Sequence, residues 1–336
     1  APPVVERVSL PDMKDAQPIW GATGRDLDGR IWFGVTHGHD ELDAYLIQYD
    51  HWARTWRTSV SVGDQLRRLG LTRAGEKQRK IHSKIVIADD GWLYFASSDD
   101  EGEKDDGSAP PRWGSHLWRM QAGNDEWQHL MGVPEGLVAV GGAGRYVYAL
   151  GYWGHVLYQY DTHAATSRKL IVGSVGGHVS RNLLTDVNGH VYVPRVGPGV
   201  DGKMQASLVE FDTQLQEVAS TDLAFYLGPG DLRKNQGITG LSTLPDGRLV
   251  FTTSLGHLYQ VEPRQDAPAK VTSLGWFHPS GEAYAPSLFA FGGSNLVAGV
   301  TVRENRHEWV VFEVLTRTSI ARPLDLKGAQ GVTLYG

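Results

Sequence analysis

The chain has no cysteine, so neither a disulfide nor a thiolate-bound metal can hold it together. It has no apolar run near the roughly 20 residues that a membrane-spanning helix requires. Basic charge is not in excess either. Lys and Arg total 32 against 38 Asp and Glu, a formal charge of -6 with a pI near 6.1, which argues against a nucleic-acid partner. Also missing are the GxxxxGK[ST] phosphate loop, HExxH, a Cys/His zinc pattern and the GxSxG nucleophile elbow. Long amphipathic helical periodicity is absent. The opening Ala1-Pro2-Pro3 fits a mature end left by signal-peptide removal, and the expected location is secreted or periplasmic.

What is present points to β structure. Gly 41, Trp 11 and Tyr 13 sit among short runs of Val, Ile, Leu, Tyr and Trp bounded by Asp-Gly and Asn-Gly turns. With 336 residues, 41% of them hydrophobic, the chain can bury a large core.

A repeat of about 50 residues organises the sequence. One strand reads GRIWFGV from Gly29, GWLYFAS from Gly91, RYVYALG from Arg145, GHVYVPR from Gly189, GRLVFTT from Gly247 and SNLVAGV from Ser294. A partner strand follows each: AYLIQYD from Ala44, HLWRMQA from His116, HVLYQYD from His155, SLVEFDT from Ser207, HLYQVEP from His257 and WVVFEVL from Trp309. With an inner strand before and a more polar strand after, the unit is the four-stranded antiparallel blade of an all-β propeller. Six copies are readable. GVTLYG from Gly331 and VVERVSL from Val4 are expected to form an incomplete seventh blade joining the chain ends, so that residues 1–336 make a single domain.

Blade topology sends the start of the first strand, the end of the second and the start of the third to one face, where propellers bind ligands. His82 and His116 in the second unit fall at such positions, as do His178, Arg181 and Arg195 in the fourth. Tyr152 and Trp153 join them in the third, His37 and His39 in the first, and Asn235 and Gln236 in the fifth. A blade-repeat role competes for the histidines, because His155 and His257 also follow a glycine at the third-strand start. Arg67, Arg68, Arg73, Lys77, Arg79, Lys80 and Lys84 surround a single acid, Glu76, and lead into His82, which suits an anionic ligand. The run Asp99, Asp100, Glu101, Glu103, Asp105 and Asp106 lacks EF-hand spacing and reads as a solvated insertion.

KIHSKI from Lys80, DDGWLYFAS from Asp89, GSHLWRM from Gly114, HVSRNLL from His178 and NGHVYVPRV from Asn188 resemble the propeller polysaccharide lyases, the ulvan and rhamnose-glucuronate lyases. The resemblance covers roughly residues 17 to 260 and is clearest in the second and fourth units. It implies β-elimination on a uronate-containing glycan: arginine neutralises the carboxylate, a base takes the C5 proton, and an acid protonates the departing O4. It implies site roles for His82, His116 and Arg195, which occupy matching motif positions. The family's tyrosine has no counterpart, since His178 and Val179 stand there; His178 or Tyr152 is the replacement to consider. The acidic insertion also lengthens the spacing between His82 and His116. Arg181, Asn182, Trp153, Asn235, Gln236, His37 and Lys80 are the expected substrate contacts. No cofactor is expected to be required, a structural divalent cation has no nameable ligands, and the partner is an anionic glycan acted on by a monomer. The alternatives are a rhamnosidase-like propeller hydrolase and a non-catalytic binding propeller.

Overall fold

The computed structural model describes residues 3–13, 16–17, 21–37, 42–104, 109–124, 126–152, 155–230, 232 and 235–326. Apart from a short helix, Val62–Arg68, the regular elements among them are strands. These form six antiparallel sheets whose strand order follows the chain. Two compact units divide the chain, Leu10–Thr185 and Asp186–Gly336 with Ala1–Ser9.

In the unit Leu10–Thr185, the second sheet carries most of the candidate chemistry. Its inner strand is broken into Lys80–Ile81 and Val86–Ile87, both paired with Leu93–Ser98. Ser115–Met120 and Trp127–Val133 follow outward. Leu93–Ser98 is buried along its whole length because both of its faces are covered. Leu93 and Phe95 join Trp32, Leu46, Ile81, Ile85 and Trp118 on one side, and Tyr94 and Ala96 join Val140, Val147 and Tyr158 on the other. The period of two therefore feeds two cores from one strand, each large side chain contributing about 1.5–3 kcal/mol on burial. The first sheet approaches so closely that a Cβ on Gly24 would lie 2.0 Å from the Ile85 carbonyl oxygen.

The Asp-Gly and Asn-Gly turns read from the sequence have a shared geometry. Gly29 and Gly91 in this unit, and Gly189 and Gly247 in the other, adopt φ of +83°, +79°, +83° and +85°, the left-handed region that glycine enters without a Cβ clash. Around Gly29, Asp26 both donates its N–H to the Arg30 carbonyl at 3.0 Å and accepts the Gly29 N–H at 3.0 Å, and Asp186 does the same for Gly189 and His190 at 3.1 Å each.

In the unit Asp186–Gly336, Val191–Pro198, Met204–Phe211 and Glu217–Asp222 pair in sequence. The fifth sheet runs Ile238–Thr243, Leu249–Thr253, His257–Glu262, Lys270–Trp276. The sixth runs Phe289–Ala290, Leu296–Arg303, Arg306–Glu313, Thr318–Pro323, with Phe277, Val297, Val310 and Phe312 packed in its core.

Among the described residues, six blades are present and no seventh is described. Residues 3–13 carry no strand, although VVERVSL reads as one, and Val4 and Leu10 there are largely exposed. The other half of the expected seventh blade, residues 331–336, lies outside the described residues, as do His39 and Trp153. No helix among the described residues is long and apolar enough to cross a membrane.

Candidate functional site

The strand ends of the first three sheets bring several predicted residues to one end of the unit Leu10–Thr185. Ile81, Ser97 and His116 share a register row across the second sheet. His37 closes the strand Ile31–His37, and its N–H donates to the Arg79 carbonyl at 3.1 Å, just before Lys80–Ile81. On the other side, the Leu137 N–H donates to Ser115 Oγ at 2.8 Å, and Leu137 is in register with Gly151, the residue before Tyr152. The Tyr152 N–H is anchored on the Gly136 carbonyl at 2.6 Å.

His82 sits in the break of the inner strand. Ser83 beside it uses its hydroxyl to accept the Ala96 N–H at 2.8 Å, which takes the place of a ladder bond at the bend. Burial pushes the His82 imidazole well below its ordinary range, and the charges of Lys80 and Arg181 push it further the same way. The ring is therefore neutral at pH 7 in a cationic setting. Burial also lowers the Lys84 ammonium, to about 8. Lys80 itself reaches Asp100 at 2.6 Å.

His116 is held differently. Its Nε2 meets Glu76 Oε1 at 2.9 Å and its Nδ1 meets His129 Nε2 at 2.9 Å, so both ring nitrogens have protein partners. Glu76, with a side chain 0% exposed, also receives Arg73 Nη2 at 2.7 Å and Nε at 3.0 Å. Burial alone would raise the Glu76 carboxyl, but the hydrogen bonds from His116 and Arg73 win and hold it at about 2. Burial and the neighbouring His116 lower His129 to about 4. Room for this row comes from Gly132, which lies opposite His116 in the register, and from the bulge between His129 and Met131. Gln78 extends the network, donating to Glu76 Oε1 at 3.2 Å and accepting from Ser97 Oγ at 2.9 Å.

The other predicted residues divide clearly. Arg181 bears electrostatically on His82, and Asn182 is buried beside it, its carbonyl accepting the Ser180 hydroxyl at 2.6 Å. His178 is buried, 1% exposed, in the segment that leads to Arg181. Arg195 lies in the other unit, where it makes a two-pronged pair with Glu217, 2.8 Å at each prong. That hydrogen-bonded pair raises the Arg195 guanidinium and lowers Glu217. Asn235, also in that unit, is spent on structure: its Nδ2 donates to the Tyr226 carbonyl at 2.7 Å and its Oδ1 accepts from the Gly237 N–H and the Ser254 hydroxyl. Gln236 is exposed and accepts the Tyr284 hydroxyl at 2.8 Å.

The basic run and the acidic insertion, read separately in the sequence, meet at Asp100, and further pairs form within and beside each. Arg79 and Lys80 both pair with Asp100, Arg112 pairs with Glu101 at 2.8 Å, Arg73 with Glu76, and Arg67 with Asp64 at 2.7 Å. Sequence reasoning missed Glu76 as a partner of His116 and gave His129 no role, because the contacts depend on folding. The one available signal was that Glu76 is the lone acid in a basic stretch.

No family model matches the sequence, and no curated protein matches it. Solved structures do. The structure of U3-55K is 12% identical with a TM-score of 0.58, over 95% of this chain and 84% of that one. The Dos1 propeller is 9% identical with a TM-score of 0.52, over 83% and 64%. The chain is an all-β propeller of four-stranded antiparallel blades, six of them described. Identities this low carry the fold and no chemistry.

Proposed function

We propose that this chain is a polysaccharide lyase that cleaves a uronate-containing glycan by β-elimination. The observation that carries the reading is the placement of His82 in the break between Lys80–Ile81 and Val86–Ile87, where burial, then the charges of Lys80 and Arg181, push its imidazole below the ordinary range. A neutral ring is ready to take the C5 proton, and the adjacent positive charge stabilises the carboxylate as C5 becomes anionic. Arg181 takes the carboxylate-neutralising role that the family resemblance gives to Arg195, since Arg195 is committed to Glu217. Electrons from the C5–H bond form the C4–C5 double bond, the C4–O4 bond breaks, and O4 leaves with a proton from an acid. Tyr152 and Lys84 are the groups assigned to compete for that step. His116, with both nitrogens engaged, serves as a positioning residue rather than as the base.

A glycoside hydrolase would need two carboxylates facing the bond. Of the acids at this end of the sheets, Asp100 is tied to Arg79 and Lys80, and Glu76 to His116 and Arg73. The test is ultraviolet absorbance of the conjugated double bond during incubation with ulvan, glucuronan and rhamnose-glucuronate oligosaccharides. Wild type should generate the signal and His82→Gln should not. No signal from any of these glycans, or an undiminished signal from His82→Gln, overturns the proposal.

A further inference from the structure

The unit Asp186–Gly336 carries a feature that the lyase reading does not use. Phe225 has φ of +56°, the left-handed region that a bulky side chain enters only at a cost. The surroundings hold it there: the Thr253 hydroxyl donates to the Phe225 carbonyl at 3.0 Å, and the Tyr259 hydroxyl donates to the Ala224 carbonyl. The result is a phenyl ring 53% exposed to solvent. Behind it stand His257, stacked at 4.9 Å between centroids with an interplanar angle of 26°, and Trp276 at 5.1 Å. His257 is fixed in turn by Ser273 at 2.8 Å. Burial lowers the His257 imidazole, so the ring backing Phe225 is uncharged.

The same unit holds a groove of about 390 Å³, lined by Ser254, Leu255, Glu282, Tyr284, Arg303 and Glu304 among others. The two features share their framework. Thr253, which holds Phe225, precedes Ser254, and Asn235 ties Tyr226 to Ser254 through hydrogen bonds of 2.7 and 2.9 Å. Leu255 lies against Gly228, three residues beyond Phe225.

We infer that Phe225 is the stacking platform of a binding site for an uncharged sugar ring, with the groove supplying the polar contacts. A rigid aromatic face buries the apolar C–H face of a pyranose at little entropic cost. The hydroxyls of Ser254 and Tyr284 and the carboxylates of Glu282 and Glu304 suit a ligand rich in O–H donors, and with the one lining cation, Arg303, paired to Glu304 at 3.5 Å, the remaining acidic excess disfavours a uronate. The volume falls within the range of small-molecule sites, and the groove lacks the long apolar floor that a peptide helix would require. The inference stands independently of the lyase reading, which concerns the other unit.

The test is isothermal titration calorimetry with neutral gluco-, galacto-, manno-, xylo- and rhamno-tetrasaccharides, with tetraglucuronate and a proline-rich decapeptide as controls. Wild type should bind at least one neutral tetrasaccharide. Phe225→Gly should weaken that binding at least tenfold while Tm stays level or rises, because glycine relieves the left-handed strain. Phe225→Trp should retain binding, and Tyr284→Phe should weaken it severalfold. The inference fails if no neutral tetrasaccharide binds, if Phe225→Gly binds as wild type does, or if Phe225→Gly lowers Tm and so shows the ring to be a core element. It fails equally if tetraglucuronate or the peptide is the ligand whose binding depends on Phe225.

Discussion

Nε2 of His116 lies 2.9 Å from Oε1 of Glu76, a residue 40 positions earlier in the chain, while Nδ1 of the same ring meets His129. This row turns a motif histidine into the centre of a buried relay, fixed at one end by Arg73. Its consequences can be measured.

Glu76→Gln removes the charge that His116 and Arg73 share. We expect a loss of about 1.5–3 kcal/mol at pH 7, the worth of hydrogen bonds to a charged group, in urea denaturation. Because the folded-state carboxyl is held down to about 2, its contribution is complete above the ordinary carboxylate pKa and is lost as pH falls from about 4.5 toward 2. The gap between wild type and Glu76→Gln should therefore close across that window. A gap that stays constant would place the stabilising charge elsewhere.

A catalytic base must be neutral, and His82 is held below the ordinary imidazole range by burial, Lys80 and Arg181. The acid limb of the pH–rate profile should thus lie well below about 6.5, the unperturbed value. Arg181→Gln should move that limb to higher pH by removing one of the charges, and should lower kcat/KM by about 10- to 100-fold if the guanidinium meets the substrate carboxylate. An unmoved limb would show that Arg181 does not act on His82.

For Arg195→Ala the expected result is retained turnover and a stability change below about 1 kcal/mol, as for partly exposed ion pairs. Its guanidinium is already matched by Glu217. Loss of turnover with an unchanged melting temperature would restore the role that the family resemblance implies.

Gly114→Ala tests the geometry that starts the strand Ser115–Met120. Gly114 has φ of +70°, and a Cβ there would lie 2.0 Å from the Val133 carbonyl oxygen. The cost should clearly exceed the roughly 1 kcal/mol of an unobstructed glycine replacement. Gly256, before His257, is blocked in the same way by the Ala283 carbonyl oxygen at 2.0 Å. Unchanged thermal stability of Gly114→Ala would refute this account.

The repeat was legible because strands buried on two faces keep short apolar runs, as Leu93, Tyr94, Phe95 and Ala96 do, and because turns such as that from Asp26 to Arg30 need glycine at one fixed place. Of the expected seventh blade, VVERVSL carries no strand within the described residues 3–13, and its expected partner lies outside the described residues. Strand order was enough to place His37, His82, His116 and Tyr152 at one end of their sheets. It could not reveal what each side chain would meet. The sequence reads Arg195 as available and Glu76 as incidental, yet Glu217 occupies the first and His116 depends on the second. Side-chain pairing over 22 and 40 residues of separation follows from packing, which a list of motifs does not encode.

The pairing of Arg79 and Lys80 with Asp100, and of Arg73 with Glu76, bears on how the proposed polyanionic substrate would be captured. An unpaired basic surface would draw a polyanion through solution, giving association rates that fall steeply with added salt. Here the opposite charges lie within a few ångströms of each other, so their fields largely cancel beyond about 10 Å, the Debye length in 0.1 M salt. On the proposed lyase reading, an anionic glycan should be recognised after collision rather than steered before it, and kcat/KM should respond weakly to ionic strength.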